Sequence, residues 1–294
     1  LERLLMTAPA RPDAARLTVG VIGVGRVGAV LGAAFASAGH EVVAVSAVSE
    51  DSRDRAESFL PDAEVLEPAE VCARASLVLL AVPDDALEAL VSGLAAVGAF
   101  QRGQLLVHVS GRHGLAVFAP AVGTLPMALH PVQTFTGTSL DLERIAGIAY
   151  GVTAPDELRP IAEALVLELG GEPVWVRDAD RPLWHAALAH AANHLVTLVA
   201  SSEDLLARAG AEDPGRVLAP LLSAALDGAL RRGDAALTGP VSRGDAGTVA
   251  AHLAALPEDV RPSYLALARL TADRALATGR LTPARAEGLL GVLA

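Results

Sequence analysis

Lysine is absent from this chain of 294 residues: all 23 basic side chains are arginine. Any chemistry that needs an ε-amino group, as a Schiff-base former or as a proton donor, is therefore excluded. Cysteine is nearly absent too, and the single Cys72 precludes an intrachain disulfide, fits a reducing compartment and is expected to be buried packing. Aromatic residues make up 3% of the chain, and 34 acidic residues outnumber the basic ones to give a net charge of −11. With no basic cluster and no alternation of basic and aromatic residues, nucleic acid and anionic membrane surfaces are excluded as expected partners. Apolar runs are interrupted by Pro, Asp or His before they reach the length of a membrane span, and the first sixteen residues lack a sustained apolar leader segment. The expectation is a cytoplasmic protein with a loose tail over residues 1–16, in which Met6 is a candidate start.

Apolar residues account for 52% of the chain, enough for a substantial core, and its length favours two domains. The most informative stretch is 17–28, LTVGVIGVGRVG. A β-rich run delivers a GxGxxG turn at Gly23, Gly25 and Gly28, directly ahead of a small-residue helix. Gly23 permits the tight turn, Gly25 lets backbone approach a pyrophosphate, and Gly28 lets helix and strand pack closely. The pyrophosphate would rest on the helix N-terminus, with Arg26 and Val27 in its first turn.

Further strands are expected at residues 41–46, 75–82, 104–109, 127–135, 147–152 and 172–176, with helices at 85–97 and 156–169. The continuous apolar run 75–82 has the character of a central parallel strand. From residue 182 the pattern is helical throughout, over 182–209, 214–232, 246–256, 262–278 and 283–293. The expected architecture is a doubly wound, mostly parallel α/β sheet over 17–178, followed by an all-helical domain over 179–294. That helical domain would serve substrate binding and dimerisation.

In an NAD site an acidic residue ends the second strand and holds the ribose 2′-hydroxyl. Ser46 stands there instead, and Ser49, Ser52 and Arg53 follow, able to bond a 2′-phosphate, so NADP(H) is the expected cofactor. Glu50 and Asp51 nearby could also reach a ribose. Val82 and Pro83 after the third strand, and Ser110 after the next, fall where carboxyl strand ends line a cofactor crevice. Asp84 and Asp85 have a second reading as helix N-caps.

Taken in order, GVGRVG, LLAVPDDAL, HVSG, HPVQTF, WHAALAHAANHLVTL and LTGPVSRGD resemble the Rossmann-like proteins that carry a C-terminal helical domain of unknown function (DUF2520 type). More distantly, the arrangement is similar to the 6-phosphogluconate dehydrogenase superfamily, including ketopantoate and pyrroline-5-carboxylate reductases. The resemblance implies a nicotinamide site facing a long helix and a homodimer built through helical domains. Related hydroxyacid dehydrogenases and ketopantoate reductases use a Lys followed four residues later by an Asn. If Asn193 takes the Asn role, Ala189 occupies the Lys position.

Histidine is the natural replacement as proton donor near neutral pH. On an ideal helix Asn193 falls about 80° from His185 and about 60° from His190 in azimuth. The assignment is His185 as acid/base and Asn193 as substrate orienter, with His190 second and His194 outside that stripe. Core histidines with satisfied bonds are the rival reading. His130 in HPVQTF contacts substrate or fastens its loop, and His108 is structural. Ser242 and Arg243 are candidates for holding a substrate carboxylate or phosphate, against a plain stapled turn. No recognisable metal-ligand set is present. These residues predict an NADP(H)-dependent oxidoreductase of a small, anionic carbonyl or imine substrate. The alternatives are a noncatalytic NADP-binding sensor or assembly protein, and an NADP/deazaflavin oxidoreductase.

Overall fold

The computed structural model describes residues 16–294. The expected tail thus lies almost wholly outside the described residues. Eight strands form one sheet in the order β3-β2-β1-β4-β5-β6-β7-β8. They are β1 (Thr18–Ile22), β2 (Glu41–Ser46), β3 (Glu64–Val65), β4 (Leu77–Leu80), β5 (Leu105–His108), β6 (Leu125–Pro131), β7 (Ala149–Thr153) and β8 (Glu172–Trp175). Every pairing is parallel except β6 with β7. The doubly wound sheet is therefore the architecture of the first part of the chain.

Helices α1 (Arg26–Ser37), α2 (Glu50–Phe59), α3 (Pro68–Arg74), α4 (Asp84–Ala96), α5 (Leu140–Arg144) and α6 (Arg159–Glu168) connect the strands. The apolar runs divide between two cores at the strand period of two. Val19, Val21, Leu77, Leu79, Leu105, Val107, Met127 and Leu129 pack on one face with α1 and α6. Ile22, Val78, Leu80 and Leu106 pack on the other with Val71 of α3 and Leu87 and Val91 of α4. Cys72 is buried in this second core, where desolvation pushes its thiol up to about 12 and keeps it protonated.

The rest is helical: α7 (Arg181–Arg208), α8 (Pro214–Arg232), α9 (Pro240–Arg243), α10 (Ala246–Ala255), α11 (Arg261–Ala277) and α12 (Pro283–Leu293). The chain forms two compact units that divide after Ala191, inside α7. The first three turns of α7 thus belong with the sheet, beyond the 178/179 division expected from composition. In the second unit Val249, Ala268, Ala272, Ala275, Leu281 and Leu289 make a small core from α10, α11 and α12. Leu221, Leu226 and Leu230 of α8 are exposed. Among the described residues no helix is long and apolar enough to cross a membrane.

Candidate functional site

The carboxyl ends of β1, β2, β4, β5 and β6 share one edge of the sheet because these strands run parallel. Strand order reverses between β1 and β4, and ligands of open α/β sheets bind in the crevice at such a switch point. The glycine turn leaves β1 at this point. Gly23 has φ +94° and donates its N–H to the Ser46 carbonyl at 3.1 Å, tying the turn to the end of β2. A Cβ at Gly28 would lie 2.1 Å from the Gly23 oxygen, so helix and turn touch with no room for a side chain. Gly25 differs: a Cβ there would meet nothing within 4 Å.

Gly25 is also the N-cap of α1, with no side-chain cap and no acidic residue in the following turn. Open space in front of unsatisfied N–H groups at a positive helix end suits an anion. Arg26 is exposed in that first turn and its stem underlies Gly137, while Val27 is half-buried. The residues present therefore fit a dinucleotide pyrophosphate.

Beside the turn, the helical register of α2 decides which groups face inward. Ser52 and Ala56 are buried and Arg55 and Phe59 half-buried, so 52, 55, 56 and 59 form one face. Arg55, which the sequence reading passed over, donates Nε–H to the Val24 carbonyl at 3.3 Å within the glycine turn. Arg53 is exposed on the same helix. Ser49 caps α2 by accepting from Ser52 N–H at 3.2 Å, while the Ser52 hydroxyl donates to the Ser49 carbonyl at 2.7 Å. Both hydroxyls thus have local work at the helix start, and Ser46 is buried at the end of β2.

Val82 and Pro83 follow β4 as expected, Val82 half-buried and Pro83 at the N-cap of α4. The capping role considered for Asp84 and Asp85 is corrected: both sit in the first helical turn and pair with Arg112, at 3.4 and 2.7 Å. Proline at the cap leaves them one and two positions too far along. Ser110 is buried, its hydroxyl accepting from His113 N–H at 3.1 Å.

A group the sequence reading did not single out organises this edge. Arg181, the first residue of α7, is fully buried. Its guanidinium donates to the carbonyls of His113, Ser110 and Gly151 and, at 3.0 Å, to the Thr153 hydroxyl. Burial lowers its pKa to about 10, opposed by the charges of Asp178 and Asp84, and it stays protonated at neutral pH. Asp178, just upstream, accepts from Leu115 N–H at 2.6 Å. The loop after β5 is thereby held to the start of α7.

One helical turn beyond Arg181, Trp184 and His185 reach β6 and β7. Trp184 Nε1–H donates to His130 Nδ1 at 3.2 Å, and the His130 and His185 rings stand perpendicular with centroids 5.9 Å apart. Gly111 admits both rings, because a Cβ there would lie 2.6 Å from His185 Cδ2 and 2.8 Å from His130 Nε2. Gly151, opposite His130 in the β6–β7 register, admits the indole, which a Cβ would approach to 2.8 Å. Burial and the Arg181 charge push His130 down to about 4. His108 is buried against Phe118 with Nε2 on the Gly114 carbonyl at 3.3 Å, and burial lowers it to about 3.

His190 is exposed on α7, and Asn193 is exposed in the second compact unit, where its carbonyl accepts from Thr197. In that unit Ser242 is buried with its hydroxyl on the Gly239 carbonyl at 3.1 Å, and Arg243 is exposed at the end of α9. Asp245 caps α10 by accepting from Thr248 N–H at 3.1 Å.

The fold is a doubly wound α/β sheet whose glycine turn fits a dinucleotide. Residues 6–131 match the family model for a Rossmann-like domain, and residues 148–271 match the model of a domain of unknown function, DUF2520. Among solved structures the chain is similar to a protein of Bacteroides fragilis provisionally described as an NADP oxidoreductase, at 22% identity and TM-score 0.74 over 88% of this chain and 98% of that one. A protein of Thermotoga maritima matches at 21% identity and TM-score 0.65, over 89% and 99%. The NADP-bound pyrroline carboxylate reductase of Plasmodium falciparum shares the fold at 10% identity and TM-score 0.59, over 95% and 98%. Comparison with curated proteins finds no match.

Replacing Arg181 with Ala should lower the unfolding free energy by about 3 kcal/mol, since several buried acceptors lose their donor at once. Urea denaturation of the variant measures this. Stability should also fall on acidification from pH 6.5 toward 4. His130 and His108 have folded pKa values below the ordinary 6.5, so the unfolded chain binds more protons across that window. The acid loss should be shallower in His130→Gln when midpoints are followed from pH 8 to 4.

Proposed function

We propose that this protein is an NADP(H)-dependent oxidoreductase acting on a small anionic carbonyl or imine compound. The observation that carries the reading is one sheet edge bearing both an uncapped helix N-terminus behind Gly25 and a histidine pair at the end of β6. When bound, the reduced nicotinamide supplies hydride to an electrophilic carbon. The chain's own contribution is to hold the dinucleotide at residues 23–28, to orient the electrophile and to deliver a proton. His185, whose ring stands against that of His130, is the proposed proton donor. His130, held by Trp184, orients the substrate. Arg55 and the serine at the end of β2 support NADP over NAD: a guanidinium lies beside the turn where an NAD site has an acid on the ribose. The similar fold of a protein provisionally described as an NADP oxidoreductase and of an NADP-bound pyrroline carboxylate reductase supports this reading.

Calorimetric titration with NADPH and NADH tests it. Gly25→Ala should keep the wild-type melting temperature, because its Cβ meets open space and its backbone is extended, yet bind NADPH at least about tenfold more weakly. Unchanged affinity would remove the cofactor assignment. Arg55→Ala should weaken NADPH more than NADH, and equal losses would place the 2′-phosphate elsewhere. Oxidation of NADPH against a panel of 2-oxo acids and cyclic imines then separates an enzyme from a noncatalytic binder.

A further inference from the structure

We propose that Trp184 locks His130 in its Nε2–H tautomer, making it a fixed hydrogen-bond donor that selects a substrate with a carbonyl oxygen over a protonated cyclic imine. The proposal rests on the preceding reading of this sheet edge as the substrate end of a nicotinamide site. It follows from hydrogen-bond inventory. An indole N–H can only donate, so the ring nitrogen it meets at 3.2 Å, Nδ1 of His130, must carry a lone pair. A neutral imidazole with a bare Nδ1 has its proton on Nε2. That atom is the one directed toward Gly111 and the His185 ring, as the 2.8 Å approach to a Cβ built on Gly111 shows.

The surroundings hold this state. Burial first, then Arg181 and His185, disfavour a second proton on His130, while Asp84 is the opposing charge. With its pKa near 4, the ring is uncharged at neutral pH and presents one N–H and no acceptor to the cleft. Gly151 is required on the far side, because any side chain there would displace the indole from the His130 ring. Arg181, three residues before Trp184, fixes the helical turn that carries the indole.

A donor of this kind discriminates by the atom it meets. A ketone or aldehyde oxygen has lone pairs and can accept from Nε2–H. A protonated cyclic imine presents its own N–H, and two donors face each other. In the reduction of a carbonyl, the carbon receives the hydride supplied by the reduced nicotinamide and the π pair of the C=O bond moves to oxygen. The oxygen takes a proton from the His185 imidazolium, which becomes neutral, while the His130 bond to that oxygen strengthens as negative charge develops. His130 itself gains and loses no proton.

The test is the nitrogen spectrum of the imidazole rings in the full-length protein without cofactor, with the His130 signals identified by their loss in His130→Gln. From pH 5.5 to 8 His130 should show a protonated Nε2 and an unprotonated Nδ1. An Nδ1–H ring, or an imidazolium at pH 7, would overturn the proposal. Trp184→Phe should introduce the Nδ1–H tautomer, and a spectrum identical to wild type would remove the role of Trp184. With NADP+ present, oxamate and L-proline serve as probes that carry the same carboxylate but differ in a carbonyl oxygen against an ammonium N–H. Oxamate should shift the His130 Nε2–H resonance more than proline does, and an equal or reversed response would overturn the carbonyl assignment. Failure of NADPH to bind would instead defeat the oxidoreductase reading and leave the tautomer result standing.

Discussion

A buried positive charge with no carboxylate bonded to it is costly, and Arg181 is such a charge. It is tolerated because acceptors converge on it: three backbone carbonyls and one hydroxyl, drawn from the loop after β5 and from β7. None of those carbonyl groups could find the same partner if the start of α7 shifted. The arrangement therefore works as a register device. It sets where the next turn of α7 stands, and with it Trp184 and His185. It also fixes the 110–113 loop, whose Gly111 packs against the His130 and His185 rings.

The two halves of that edge are built by different physics. The glycine turn is shaped by exclusion: Gly28 and Gly23 touch so closely that only hydrogen fits, while Gly25 is left open toward solvent and ligand. The histidine pair is shaped by polar satisfaction. Arg181 donates to the Ser110 and His113 carbonyls, the Ser110 hydroxyl accepts from His113 N–H and Asp178 from Leu115 N–H, and beside this loop the His130 and His185 rings stand edge to face. Small residues serve both halves, since Gly111 and Gly151 are needed for the volume they vacate rather than for any unusual backbone angle.

Much of this was legible in the sequence because period and punctuation suffice for a parallel sheet. The LVLL run of β4 has no polar interruption because both faces of a central strand are buried, and it splits between two cores residue by residue. Proline at first turns located α8 and α12 to the residue. β3 was not legible: two residues held by pairing with Ala44 and Val45 carry no pattern of their own. Arg55 could have been found by reading 50–59 as a helix and asking which side chains fall with Ser52 and Ala56. Arg181 could not. In a chain whose every cation is arginine, a buried guanidinium looks the same as 22 others until the carbonyls around it are seen.

The missing lysine then has a structural counterpart. In a lysine-based reductase one ammonium can both orient the electrophile by charge and protonate it. Here Arg181 is spent on backbone carbonyls and holds no proton it can release near neutral pH. On the proposed reading the two tasks fall to separate groups, and the pair of perpendicular imidazoles is what the sheet edge offers for them. One ring is kept neutral by burial and by that same arginine, and so can orient without exchanging protons. The charge that organises the site thus also divides the labour within it.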